Sequence, residues 1–522
     1  MKKIYLLFLL TLLPFLASAD LVEIDGIYYN LDPKAKTAEV TENPNKYSGN
    51  IDIPKIVTYQ EVSYNVTSIR YSAFSHCIGL TSIIIPNSVT SIGSSAFSDC
   101  SSLTSVTIPN SVTYIGKDAF WSTPWYYNQP DGIVYAGKVL YKYKGTMPNG
   151  TEISIKDGTL SIADRAFEIC SGMTSISIPN SVTSICHYAF AGCSGLTSIN
   201  IPNSVTTLGE GAFADCSGLT SINIPNSVIS IGKVAFAQCS GLTSINISNG
   251  VISIGKDAFF RCRSLTSVTI PKSVTSIESN VFTQCSNLSS IKVENENTKY
   301  DSREDCNAII ETASNTLIIG CQNTIIPSSV TSIGYYAFYY SSGLTSIEIP
   351  NSVTSIEEGA FEGCSSLKSI TIPNRVTSIS EQAFLNCTGL TSISIPSSLT
   401  YIGHWAFGGC ENLTDFYSFA EKLPETNSEA FLGISDFIPH EINATLHVPE
   451  GSVDAYKAVV PWSYFKNIVA IEATSIKNLE GTAAGPFDVY DLSGRKVLTH
   501  VTSLEGMPNG IYIVNGKKIL KK

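Results

Sequence analysis

The sequence predicts a β-rich solenoid built from 23-residue coils. Three observations predict it. An Ala-Phe pair (Val-Phe once, at Phe282) recurs at a fixed spacing: Phe74, Phe97 and Phe120, then Phe167, Phe190, Phe213, Phe236, Phe259 and Phe282, then Phe338, Phe361, Phe384 and Phe407. A cysteine follows three residues after most of these markers, from Cys77 to Cys410. Between markers, apolar residues alternate with Ser, Thr and Asn. A short fixed period means one turn of chain per repeat, each coil burying its apolar side against its neighbours.

The unit from Cys193 to Asp215 shows how one coil is made. Leu196, Ile199 and Ile201 carry the strand period, with Ser198 and Asn200 on the opposite face. Pro202 ends that strand, because it has no N–H for a ladder. Val205 and Leu208 form a second apolar pair, and Gly209 marks a bend. Ala212 and Phe213 are expected to turn the chain inward through a short helical or 3₁₀ turn. The glycine slot also holds Ala163, Cys186, Glu278, Glu357 and Ser380. A left-handed backbone is therefore not required there.

The chain has 14 cysteines. Stacked coils would hold equivalent Cβ atoms parallel at about 4.8 Å. A disulfide needs Cβ atoms converging to about 3.8 Å. The tandem cysteines therefore read as buried thiols that fill the interior. Cys306 and Cys321 lie outside that slot, and their pairing is left open.

Residues 20–65 read as a β cap over the first coil, as in Ile27–Leu31 and Asn50–Pro54. An uncapped end would expose an apolar face and unpaired edges. The repeats run over 66–435, interrupted at about 121–160 and 289–325. The gap from Phe120 to Phe167 is 47 residues and contains a hairpin over 133–143 that turns at Ala136-Gly137. The gap from Phe282 to Phe338 is 56 residues and contains a second hairpin, Ala308–Glu311 with Thr316–Ile319. Residues 436–471 supply a strand, a short helix and aromatic bulk (Trp462, Phe465) for a C-terminal cap. Residues 472–522 read as a small β domain of hairpins with an Asn515-Gly516 turn.

Residues 1–19 have the form of a secretory signal: Lys2 and Lys3, an apolar run from Ile4 to Leu16, then Ala17-Ser18-Ala19. That run is too short for a confident membrane span, and no later stretch is longer. Net charge is −11, and nucleic-acid binding needs basic patches, so nucleic acid is not an expected partner.

The unit from Leu219 to Cys239 resembles the BspA-like leucine-rich repeats of bacterial surface proteins. The resemblance implies a leucine-rich-repeat solenoid at the cell surface or secreted, implicated in adhesion to host or microbial macromolecules. The segments Leu492-Ser-Gly-Arg495, Met507-Pro-Asn-Gly-Ile-Tyr512 and Lys521-Lys522 resemble the C-terminal sorting domain of the type IX secretion route. That resemblance implies an outer-surface or extracellular location in Bacteroidetes.

No catalytic or metal site is expected. The six histidines show neither zinc-pair spacing nor a His-Glu-x-x-His run. The acids from Glu294 to Asp305 fit no EF-hand pattern and read as a solvated loop. No cofactor is implied.

Two surfaces are candidates for binding an extracellular protein or glycan. One is the outward face of the main strands, an almost uncharged carpet that includes Ser198, Asn200, Ser221, Asn223, Ser244 and Asn246. Short hydroxyls and amides can meet peptide backbone or sugar. The other is aromatic: Trp121, Trp125, Tyr126 and Tyr127, with Tyr135, Tyr141 and Tyr143 behind them. Trp and Tyr combine apolar area with a polar handle. The expected function is non-enzymatic adhesion. Glycan capture through the aromatic group and a passive envelope role are the alternatives.

Overall fold

Each coil is set by the turn around its marker phenylalanine. Alternate amides of this turn point along the stack. Tyr188 N–H donates to Glu210 O (2.7 Å), Phe190 N–H to Ala212 O (2.8 Å), and Gly192 N–H to Ala214 O (2.8 Å). The amides between them close local turns: Ala189 N–H to Cys186 O (3.4 Å), Ala191 N–H to Tyr188 O (3.1 Å). The backbone alternates because residues two before and two after the marker take positive φ. Examples are Tyr188 (54°), Val234 (48°), Gln238 (61°), Asp257 (55°) and Arg261 (60°). A helical or 3₁₀ turn was expected here. The segment is instead a run of turns, because half its amides are drawn into the next coil.

The computed structural model describes residues 21–433, 441–471, 487–490, 496–501, 507, 510–514 and 517–521. The signal-like residues 1–19, the 492–495 motif and Lys522 lie outside them. The chain forms two compact units. One comprises residues up to 146 with 156–166; the other comprises 147–155 with 167 onward.

In the first unit, the antiparallel strands Leu21–Ile24, Ile27–Asp32 and Thr37–Val40 lead into the parallel strands Val62–Ile69, Ser91–Ile92 and Tyr114–Ile115. The first three of these strands fall within residues 20–65, where a cap is expected. The expected hairpin is Gly132–Ala136 with Val139–Lys144, and its second strand pairs in parallel with Ser161–Ile162.

In the second unit, each coil contributes two short strands. Thr207–Leu208, Ser230–Ile231, Ser253–Ile254 and Ser276–Ile277 pair in parallel, with serine or threonine opposite serine. On the main-strand side, Ser221–Ile224 pairs with Ser244–Ile247, each residue opposite its equivalent 23 positions on. The second hairpin is Ile309–Glu311 with Thr316–Ile319, and its later strand pairs in parallel with Ser332–Ile333. The closing strands Ile442–Val448 and Phe465–Ala470 continue the sheet, and the helix Val453–Ala458 brings Tyr456 into the core beside Trp462. The described part of the C-terminal region is a four-stranded sheet around Val489, Tyr512 and Val514.

The interior is a set of ladders. Phe190, Phe213, Phe236 and Phe259 are fully buried, with successive ring centroids 5.3–5.5 Å apart and nearly parallel planes. The cysteines are buried and free, Cys306 and Cys321 included. They also do something the sequence did not reveal. Within the stacked coils the tandem thiols donate to the marker carbonyl 26 residues earlier: Cys216 to Phe190 O (3.2 Å), Cys239 to Phe213 O (3.1 Å), Cys262 to Phe236 O (3.2 Å). Burial pushes the Cys216 thiol up to about 12, so it stays protonated and able to donate.

The glycine slot is explained by proximity. A Cβ on Gly232 would lie 2.7 Å from Gly209 O and 2.8 Å from Gly209 C. The coils approach through that point. Gly232→Ala is expected to destabilise by about 1–3 kcal/mol through backbone displacement. Val234→Asn, which relieves a β-branched residue at φ 48°, is expected to stabilise by roughly 1 kcal/mol. Urea denaturation of the two variants checks both signs.

Candidate binding surfaces

The outward residues of the main strands divide into two classes. The threonine hydroxyls are used by the fold. Thr220 Oγ1 donates to Thr197 O (3.4 Å), Thr243 Oγ1 to Thr220 O (3.0 Å) and Thr414 Oγ1 to Thr391 O (3.0 Å). The serines and asparagines beside them stand outward. Ser198, Asn200, Ser221, Asn223, Ser244 and Asn246 are all exposed. Asn200 is opposite Asn223, and Asn223 is opposite Asn246. Asn246 Nδ2 donates to Asn223 Oδ1 at 2.5 Å. The result is an amide row flanked by a serine row, both at the coil repeat.

This carpet is not uniform. In the first unit Ile84 stands on it, 48% exposed. Farther along the second unit, Ser346, Ser369, Thr371 and Ser392 line a cavity of about 70 Å³ together with Met507 and with Val497 and Tyr512 of the C-terminal sheet. The stretch from Ser198 to Asn246 is the part with amides and hydroxyls in open register.

The aromatic candidates separate into support and surface. Trp121 follows the marker Phe120, and Trp125 to Tyr127 lie on the helix Pro124–Tyr127. Thr123 Oγ1 caps that helix by accepting from Tyr126 N–H (3.1 Å). Lys144 Nζ ties its end to the hairpin by donating to Tyr127 O (2.7 Å). Tyr126 is buried, only 6% exposed, and Trp125 packs on Phe120 with centroids 4.5 Å apart. A role for Tyr126 as a ligand platform is therefore corrected: its ring packs in the core with Tyr141. Tyr141 is buried too, and its hydroxyl accepts from Phe120 N–H (3.0 Å). Trp121 and Tyr127 are the exposed pair, 48% and 52%, with centroids 6.4 Å apart and planes at 62°.

Three histidines and part of the acidic insertion are engaged by neighbours. His187 Nδ1 accepts from Glu210 N–H (3.0 Å), His404 faces Glu429 (2.7 Å) and His447 faces Asp415 (2.8 Å). In the acidic insertion, Glu294 accepts from Lys272 N–H (2.9 Å) and Asp301 pairs with Arg303. Among the described residues, no three His, Cys, Asp or Glu side chains gather as a metal centre. No described helix is long and apolar enough to cross a membrane.

Residues 54–128, 141–232, 215–314 and 315–437 match the BspA type leucine rich repeat region (6 copies). The chain belongs to the BspA-type leucine-rich repeat family. Among solved structures, a leucine rich cell surface protein from Faecalibacterium prausnitzii A2-165 is 25% identical, over 88% of this chain and 97% of its own, with a TM-score of 0.42. A leucine-rich repeat protein from Bacteroides ovatus is 28% identical, over 86% of this chain and all of its own, with a TM-score of 0.39. The pneumococcal vaccine antigen PcpA is 16% identical, over 87% and 99%, with a TM-score of 0.37. No curated protein matches.

One acid on this BspA-type repeat was not singled out by the sequence. Glu362 follows its marker Phe361 and is only 8% exposed. Burial, then the nearby Glu358 carboxylate, pushes its carboxyl up to about 7. Glu358 in turn accepts from the Tyr336 hydroxyl (2.8 Å). A carboxyl raised on folding favours the folded state while protonated, and that contribution is lost as pH rises from about 4.5 to 7. Glu362→Gln should therefore be more stable than the parent at pH 8, by about 1–2 kcal/mol. The difference should vanish near pH 4. Urea denaturation at the two pH values measures it.

Proposed function

We propose that this chain is a bacterial cell-surface or secreted binding protein that engages an extracellular macromolecule along its main-strand face. The observation that carries the reading is the row Asn200, Asn223 and Asn246, exposed and in register beside Ser198, Ser221 and Ser244. Periodic amides and hydroxyls suit an extended ligand whose own polar groups repeat. Each contact is weak, and affinity comes from their number on one rigid surface. The BspA-type membership supports a surface-protein role. The signal-like residues 1–19 and the sorting-like C-terminal segment support export in a member of the Bacteroidetes, where 472–522 would direct the last step.

The second reading is glycan capture. It is favoured by the exposed pair Trp121 and Tyr127, held by a capped helix beside a hairpin. Two aromatic faces at this separation can contact a sugar ring, with indole N–H and phenol O–H free to serve hydroxyls.

A binding array of matrix proteins and polysaccharides separates these readings. The adhesion reading expects saturable binding that falls about tenfold or more when Asn200, Asn223 and Asn246 are all replaced by Ala. It expects no change with Trp121→Ala and Tyr127→Ala. The reverse pattern, with competition by soluble sugar, would replace adhesion by glycan capture. No saturable binding would leave a passive envelope protein. Unchanged surface display after deletion of 472–522 would remove the sorting assignment.

A further inference from the structure

The second insertion breaks the marker-turn ladder and leaves it open. Upstream, the ladder is complete. Asp257, Phe259 and Arg261 donate their amides to Ser279 O (3.2 Å), Val281 O (3.0 Å) and Thr283 O (2.9 Å). Downstream it resumes: Tyr336, Phe338 and Tyr340 donate to Glu358 O (3.0 Å), Ala360 O (2.8 Å) and Glu362 O (2.7 Å). Between them stand Asn280, Phe282 and Gln284, the equivalent donors. Among the described residues, nothing accepts from these three amides. On the facing side, Gly320 N–H takes Ala337 O (2.8 Å), while the flanking carbonyls of Tyr335 and Tyr339 receive no such bond among the described residues.

The phenylalanine stack stops at the same place. Phe282 stacks on Phe259 (5.4 Å), and Phe338 stacks on Phe361 (5.0 Å). Phe282 and Cys285 are 7% and 8% exposed, whereas Phe236 and Cys239 in an intact coil are fully covered. A cavity of about 220 Å³ opens there, lined by Asn280, Phe282, Thr283, Gly320, Tyr336 and Tyr339. The Asn280 side-chain oxygen is buried with no hydrogen-bond partner among the described residues. Glu278 and Glu311 also line it. The first insertion differs, because there the Tyr141 hydroxyl covers the equivalent central amide of Phe120.

We propose that this notch is a binding site for a short extended peptide segment of a partner protein. The peptide adds the missing rung: carbonyls of alternate residues accept from Asn280, Phe282 and Gln284. The occupant's chemistry is read from the intact coils, where backbone carbonyls fill that role each time. Small inward side chains are required, because the cavity holds only about 220 Å³. A backbone N–H in the segment can satisfy the Asn280 oxygen. Cationic residues at the ends complement Glu278 and Glu311. The site shares no residue with the Asn200–Asn223–Asn246 row, so its success or failure is independent of the adhesion reading.

The test uses the full chain and the probe acetyl-Lys-Ser-Ala-Ala-Ser-Lys amide, with hydrogen exchange read at single amides. Without probe, the amides of Asn280, Phe282 and Gln284 should exchange at least about tenfold faster than those of Val234, Phe236 and Gln238. Saturating probe should slow the first set by about tenfold and leave the second unchanged. Glu278→Lys, which also gives up the bond from Lys256 N–H, should weaken that protection while the amides of Val234, Phe236 and Gln238 stay as protected as in the parent. Three results would each overturn the proposal: equal exchange in the two sets without probe, no protection by the probe, or protection undiminished in Glu278→Lys. Protection by an oligosaccharide and not by the peptide would assign the notch to a different ligand and equally overturn it.

Discussion

The structure depends on one constraint: backbone amides at the marker turn must find carbonyls one coil away. Phe213 N–H reaches Ala235 O, and Phe236 N–H reaches Ala258 O, each at 2.8 Å. This offset fixes the register, and the register places like side chains over like. Phenylalanine rings then stack, thiols donate to the marker carbonyl behind them, and Gly232 lets two backbones come close. A coil on its own could not supply these partners, since alternate donors in a regular turn are answered by the next coil. Positive φ at Val234 and Gln238 is a cost of that arrangement, and it persists because the flanking bonds over-determine it.

The same constraint explains where candidate binding features arise. On the main-strand side threonine hydroxyls are consumed by carbonyls, while the serines and asparagines from Ser198 to Asn246 remain outward in rows. At the insertions the ladder is interrupted, and the two breaks are handled differently. Tyr141 replaces the missing carbonyl at Phe120 and pulls its neighbours into the core, leaving Trp121 and Tyr127 at the surface. At Phe282 no described group takes that part, and a cavity results. The insertions therefore create chemistry that a regular BspA-type repeat lacks.

Much of this was legible in the sequence, because stacking forces the same residue type into the same slot. The buried marker rings, the unpaired tandem cysteines, the main-strand alternation and both hairpins follow from spacing and residue type alone, whereas the free state of Cys306 and Cys321 does not. The left-handed turn positions were not legible. They are filled by Ser95, Ile169, Val234, Gln238 and Trp405, which share no side-chain chemistry, since the backbone and not the side chain is constrained there. The glycine slot misled for a related reason: the conformational argument rightly rejected positive φ but did not reach the close approach of coils. Among the candidate site residues, the sequence could name the aromatic group but not sort it. Tyr126 and Tyr127 are adjacent and alike, and a four-residue helix points one into the core and the other to the surface. The notch at Asn280 left no sequence signal beyond the 56-residue gap, because an unmet donor has no residue type of its own.

The central claim is that successive coils stack in register and bury one thiol slot throughout. Counting accessible thiols tests it most directly. The purified chain, treated with a small alkylating reagent near pH 8, should show essentially no labelling while folded, and should label at all 14 cysteines once denatured without reductant. Labelling of the tandem cysteines in the folded chain, or fewer than 14 free thiols after denaturation, would contradict the account.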